Sequence, residues 1–164
     1  MGTVRESSKL RAFFEEVDPH IVRFMATYGL PFLRVTLGVI FLWFGLVKLV
    51  PGLSPEEELI RHTVYFLDPD VVLAGLALLE SLIGLGLILG KWLRFVLLLL
   101  FLQMAGTALP LILLPQVVWK AFPYALTLEG QYIVKNLVLM GAGLVLGGTV
   151  KGGRLDPEPA ARLP

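Results

Sequence analysis

The sequence predicts an all-α membrane protein, a bundle of four transmembrane helices preceded by a short amphipathic helix. Three observations predict it. Hydrophobic residues make up 56% of the 164 residues and charged residues only 16%, against about 45–50% and about 25% in a soluble domain. The excess is concentrated in long runs, and residues 95–118 contain no charged side chain at all. Uncharged apolar runs of about 18 residues or more read as bilayer spans and not as core helices. The alternating pattern of a barrel strand is absent, so the backbone polar groups of these runs must be satisfied within helices.

The elements follow in chain order. Residues 1–30 are charged and lack the apolar core of a cleavable signal peptide. Leu10, Phe13, Phe14 and Val17 fall at helical spacing among Lys9, Arg11, Glu15 and Glu16, which predicts an amphipathic helix on the membrane surface. Asp18-Pro19 reads as a fresh helix start, and Gly29 to Pro31 as a break before the first span. The four-helix domain occupies residues 31–150, with spans at Phe32–Val50, Asp70–Gly90, Phe95–Val118 and Gln131–Thr149. In the first link, Ser54-Pro55-Glu56-Glu57 has the form of an N-cap, an N1 proline and first-turn acids, and Ile60, Val64 and Leu67 give a short helix an apolar side. Asp68-Pro69 starts the second span, and Thr127 is placed to cap the fourth. Residues 151–164 read as a loose tail.

Charge placement predicts orientation. Arg5, Lys9, Arg11, Arg23 and Arg34 lie before or at the start of span 1, Lys91 and Arg94 between spans 2 and 3, and Lys151, Arg154 and Arg162 in the tail. The other two links carry only Arg61 and Lys120. By the positive-inside rule both termini are cytoplasmic, and the links 51–69 and 119–130 lie outside.

The same composition excludes several functions. A net charge of +1 is not that of a basic nucleic-acid binder. Without cysteine the chain has no disulfide, thiolate metal site or thiol relay. His20 and His62 lie outside the spans, so haem ligation by span histidines is not expected, and no residue cluster has metal-ligand spacing. The chain by itself does not read as a complete redox enzyme, and any cofactor is expected to be borrowed.

The polar residues inside the spans are the candidate site. In span 1, Arg34, Gly38, Phe41, Gly45 and Lys48 share one helix face that combines small residues with cationic ends. Close packing with two snorkelling cations explains this face as well as a site does. Glu80 lies mid-span, where a carboxylate costs about 2.5–3.5 kcal/mol on insertion scales. It is protonated, paired with a cation or set in a wet cavity, and a neutral hydrogen-bonded helix contact is the structural alternative. Ala77 and Gly84 leave room beside it. Span 4 brings Lys135 and Asn136, and the Gly143/Gly147 pair, like Gly86/Gly90 in span 2, has helix-packing spacing. Span 3 brings Gln103, Gly106, Thr107 and Pro110, with a kink expected at the proline. The reading is a polar pocket of Lys48, Glu80, Lys135 and Asn136, with Gln103 on its wall and Glu129 at its mouth. Arg34, Gly38, Trp43, Gly45, Gly84 and Pro110 set its packing and shape.

Phe41-Leu42-Trp43-Phe44-Gly45-Leu46-Val47-Lys48, then Leu79-Glu80 with Ile83-Gly84, then Gln131-Tyr132-Ile133-Val134-Lys135-Asn136 stand in this order. The order resembles the DoxX-like superfamily of small four-helix membrane proteins, nearest to its YkgB/RclC-like branch. Two departures stand out: the first outside link is short for that branch, and Asn136 occupies a position where the branch tends to carry Asp. The resemblance implies a bacterial or archaeal inner-membrane protein. It also implies an accessory role in quinone-linked redox or oxidative-stress systems, through a bound quinone or a docked peripheral oxidoreductase. A proton-linked carrier acting as a homo-oligomer and a scaffold without a small ligand are the competing expectations.

Overall fold

The computed structural model describes residues 2–54, 56–64 and 67–155, with side chains from Asp18 onward. It is all-α apart from one short β-ladder. The elements are α1 (Gly2–Lys48), α2 (Glu57–Thr63), α3 (Pro69–Leu89), α4 (Leu93–Thr107), α5 (Pro110–Leu113), α6 (Pro115–Val118), β1 (Trp119–Ala121), β2 (Ala125–Leu126) and α7 (Leu128–Thr149). A 3₁₀ turn at Val150–Gly152 follows. Among the described residues, four helical stretches are long and apolar enough to cross a bilayer, at Asp18–Lys48, Pro69–Leu89, Leu93–Leu113 and Leu128–Gly152.

The chain divides into two compact units at Leu33/Arg34. The described residues of the first, 2–33, are helical backbone. Its residues Leu10, Phe13, Phe14 and Val17 have helical backbone, and their side chains fall outside the described residues. The expected restart at Asp18-Pro19 and break at Gly29 to Pro31 are absent, because α1 runs through Pro19 and Pro31. Each proline removes one N–H from the ladder, a loss that helices meeting the membrane tolerate.

The second unit holds the bundle. Residues 34–48 of α1 present Leu37, Gly38, Phe41, Gly45 and Lys48 as a buried stripe, the face picked out by spacing alone. This face meets α3 backbone to backbone. A Cβ on Gly38 would lie 2.8 Å from the Gly84 carbonyl oxygen, and one on Gly45 would lie 2.8 Å from that of Ala77. A Cβ on Gly84 would collide with the Leu42 backbone. Small residues permit this approach where lipid supplies no hydrophobic drive between helices. In α3, Leu73, Ala77, Ile83 and Leu87 are buried, and in α4 Val96, Leu97, Leu100 and Met104. Gly143 of α7 packs on Leu100 and Phe101, and Gly147 on Leu97. Leu78, Leu82, Leu98, Leu102, Leu137 and Leu144 are more than half exposed, an apolar surface suited to lipid.

The helix ends follow local chemistry. Asp68 caps α3 by accepting the Asp70 N–H, with Pro69 at N1. Gly90 ends α3 at φ +68°, and the Arg34 guanidinium lies over it where any Cβ would clash. At α2 the expected cap moves by two residues. Glu56 is the N-cap, and the Ser54 hydroxyl accepts its N–H at 3.4 Å without reaching the helix.

The third span is shorter than expected. The sequence predicts one kinked helix over 95–118, whereas α4 ends at Thr107 and two short turns follow. Pro110 cannot donate to the Gly106 carbonyl, so Leu109 N–H takes that role at 3.1 Å and the ladder tightens. Pro115 leaves the Leu111 carbonyl in the same position, and the Trp119 indole N–H donates to it at 3.5 Å. Antiparallel β1–β2 then reverses the chain, pairing Trp119 with Leu126. Thr127 ties this reversal to α7. Its N–H donates to the Val118 carbonyl at 3.0 Å, its hydroxyl donates to Val117 at 2.8 Å and accepts the Gly130 N–H at 3.2 Å. Of the expected tail, residues 156–164 lie outside the described residues.

Candidate functional site

The site lies at the Lys48 end of the bundle. Lys48 is the last residue of α1, and the buried stripe carries it against α3 one turn beyond Gly45. Its ammonium donates to both oxygens of Glu80, at 3.0 Å to Oε1 and 2.8 Å to Oε2. It also pairs with Glu56 Oε2 at 2.8 Å, from the residue that opens α2. Gln103 of α4 completes the set by donating from Nε2 to Glu80 Oε1. Lys48, Glu80 and Gln103 are 7%, 5% and 5% exposed, so the group is removed from solvent except through Glu56. Two carboxyl groups thus share one ammonium. The mid-span Glu80 is offset by a cation and an amide, the arrangement that makes a buried carboxylate tolerable.

Two cavities adjoin this cluster. The larger, about 380 Å³, is an open cleft lined by residues of α2, α3, α4, the α5 turn and α7. Leu59 and Ile60 of α2 and Val64 just after it supply apolar lining, with Leu76, Leu79, Pro110 and Ile133. Its polar lining comes from Glu56, Thr63, Glu80, Gln103, Thr107, Glu129, Tyr132 and Asn136. The smaller, about 250 Å³, runs between α1 and α7 past Ile40, Phe41, Phe44, Lys135 and Leu139. Glu56, Glu80, Thr107, Tyr132 and Asn136 border both.

Most of the residues predicted from sequence meet here, in an altered arrangement. Lys48 lines neither cavity, because its ammonium is enclosed by the two carboxyl groups. Asn136 faces inward and donates to the Thr107 hydroxyl at 3.3 Å. Lys135, one residue earlier and about 100° around the helix, is exposed, sits 4.8 Å from the Tyr132 ring centre and borders only the smaller cavity. Gly38, Gly45 and Gly84 form the α1–α3 contact, Arg34 covers Gly90, and Pro110 is buried in the larger cavity's wall. Trp43 is 68% exposed and borders neither cavity.

Glu56 is the participant that sequence reasoning placed elsewhere, as a first-turn acid of the link. Only the fold of the link over the bundle brings it to Lys48. Tyr132 was visible only as part of the span-4 motif. Outside the spans, Arg61 bridges Glu57 at 3.0 Å and Asp70. The Gly52 N–H, donating at 2.8 Å, holds the Glu57 carboxyl below its usual range, and the Arg61 guanidinium adds to this. The same two acids hold the Arg61 guanidinium above its usual range.

Residues 29–48 of α1, with α2, α3 and α4, and with Lys48, Glu56, Glu80 and Gln103 among them, fall in the segment that matches a known family, DoxX, over residues 29–113. The chain belongs to the DoxX family. It is a multi-pass membrane protein whose surroundings are the lipid bilayer. No curated protein and no solved structure matches it. In this DoxX chain Tyr132, Lys135 and Asn136, on α7, lie beyond the matched segment, so the cavities are walled by the family region on one side and by α7 on the other.

Proposed function

We propose that the protein is a DoxX-like membrane accessory of a quinone-linked redox or oxidative-stress system, in which the bundle binds a quinone-like ligand or docks an oxidoreductase. The observation that carries this reading is the larger cavity, about 380 Å³, mostly apolar with a few polar groups in its lining, among them Glu80, Gln103 and Asn136. An apolar slot of this size with a few fixed polar groups is the usual form of a small-ligand site. The distribution of Lys and Arg supports an inner-membrane orientation with cytoplasmic termini, which puts the cavity in the outer half.

The test is thermal stability and calorimetric binding of the purified protein in nanodiscs with short-tailed benzoquinones and naphthoquinones. Saturable binding that is weakened in Glu80→Gln supports the reading. No binding to folded protein, with Glu80→Gln indistinguishable from wild type, overturns it.

A second reading is a scaffold or assembly factor with no small ligand. The Lys48–Glu80 bridge between α1 and α3 favours it, since such a bridge serves helix registry as well as a site. Under that reading, loss of Glu80 lowers stability and alters no binding. A proton-linked carrier is distinguished by proteoliposome flux that Glu80→Ala abolishes.

A further inference from the structure

The charges of the second unit are segregated along the bundle. Its described acids are Glu80, Glu129 and those between positions 56 and 70, all toward the Lys48 end. Glu80, the deepest of them, is still about 15 Å of helix short of Gly90. The Gly90 end carries only cations among the described residues: Arg34 on α1, Lys91 and Arg94 where α3 gives way to α4, and Lys151 and Arg154 beyond α7. Gly147 packs on Leu97, one turn from Arg94, which brings the end of α7 to this side. None of these cations has an ion-pair or hydrogen-bond partner among the described residues.

Arg34 is the fixed member of the group. It is half-buried, and its guanidinium lies directly over Gly90, where the absence of a Cβ makes room for it. The end of α3 favours a cation there, yet no carbonyl among the described residues accepts from Arg34, so its N–H donors are left unmatched by protein. Lys91 follows Gly90 in the chain, so a second, flexible cation begins beside the guanidinium. Apolar side chains frame the pair: Leu89, Trp92 and Phe95 are 63%, 84% and 57% exposed. Cations with an exposed tryptophan between apolar residues are the pattern of a membrane–water interface. A water-soluble acidic partner would answer the cations alone, whereas a phospholipid answers both the cations and the apolar frame.

We propose that the Gly90 end of the bundle holds the headgroup of an anionic phospholipid, with Arg34 anchoring the phosphate, Lys91 and Arg94 as further cationic contacts, and Leu89, Trp92 and Phe95 beside the acyl chains. The planar guanidinium fork suits phosphate oxygens. A zwitterionic headgroup brings its own cation, which this patch repels, and an anionic one brings none. The site is separate from the two cavities, neither of which is lined by any of these residues. It stands whether or not the cavities take a ligand.

The experiment measures, by native mass spectrometry, the affinity of the first lipid for the full, delipidated chain in detergent micelles. The probes are dioleoyl phosphatidylglycerol and dioleoyl phosphatidylcholine, which differ only in the headgroup. Phosphatidylglycerol is expected to bind about tenfold more tightly, the scale of one to two cations at a headgroup. Arg34→Gln is expected to remove most of that preference and Lys91→Gln to reduce it. Lys120→Gln, at the opposite end, is expected to leave it unchanged. Should Arg34→Gln fail to fold, Lys91→Gln on the exposed link decides the matter. Equal affinity for the two lipids overturns the proposal, as does a preference that Lys120→Gln lowers as much as the other variants do. Displacement of the lipid by equal concentrations of inorganic phosphate or poly-glutamate would mark a free-anion or acidic-protein surface, and overturns the assignment to a lipid.

Discussion

Lys48 and Glu80 join α1 to α3 through two hydrogen bonds from one ammonium, with the side chains 1% and 7% exposed. Breaking such a pair from one side leaves a buried charge and costs about 3–5 kcal/mol, whereas replacing both partners by apolar groups is often neutral. Lys48→Met is therefore expected to lower stability by about that amount, since it leaves Glu80 facing Glu56. The double variant Lys48→Met, Glu80→Leu is expected to recover much of the loss. Unfolding in detergent micelles measures both, and equal losses in the single and double variants would show that the pair is not coupled.

Glycine substitutions divide into two classes. A Cβ on Gly84 meets the Leu42 backbone, which cannot move aside as a side chain can. Gly84→Ala is expected to cost about 1–3 kcal/mol or more through overpacking. Gly75 and Gly141 have nothing within 4 Å of a built Cβ. Gly75→Ala and Gly141→Ala are expected to stabilise their helices by up to about 1 kcal/mol. The melting temperatures should move in opposite directions, and a shared direction would contradict the packing described for the α1–α3 contact.

Stability in the first link depends on pH through Glu57. Its folded carboxyl is held below the usual carboxylate range, by the Gly52 N–H first and then Arg61. A depressed folded value means that its contribution is present above the unfolded carboxylate range and is lost as pH falls through the folded value. Protonating Glu57 is therefore expected to loosen α2 on acidification, and Glu57→Gln to remove that pH dependence. Amide hydrogen exchange at Ile60 and Arg61 as a function of pH reads it out. Because the group is exposed, raised salt should weaken the effect.

Thr127 makes three bonds that link the chain reversal to α7. Thr127→Ala is expected to cost about 1–2 kcal/mol as a lost N-cap, and Thr127→Ser to retain most of it. Faster exchange of the Gly130 amide in the alanine variant alone would locate the loss at the cap.

The sequence made much of the bundle readable, for physical reasons that differ by element. The buried stripe of α1 was visible because its glycines and Phe41 recur at helical spacing, and Glu80 because a mid-span acid has no way to water. Asp68-Pro69 and Thr127 announced their helices through local hydrogen bonding. Glu56 was misplaced because its partner lies eight positions away across a turn, and no periodic pattern records that contact. Lys135 was expected in the pocket from its depth, level with Lys48, but depth does not fix the helix face, and Lys135 lies about 100° around the helix from Asn136. Pro110 and Pro115 together ended a span that a single proline would only have bent, and the two-residue β2 is too short to leave a pattern.

The backbone contact between α1 and α3 has a consequence for depth. Gly38 and Gly45 are set against the α3 backbone and Gly84 against α1, with the Ser81 and Ile88 side chains also close, so little space is left for the two helices to slide. The two helices therefore behave as one rigid plate. Lys48 and Glu80 are fixed on that plate at a single level of the bilayer, like marks on a ruler. Their distance from the membrane surface is thus set by the glycines one to three turns away, before either charge has found its partner.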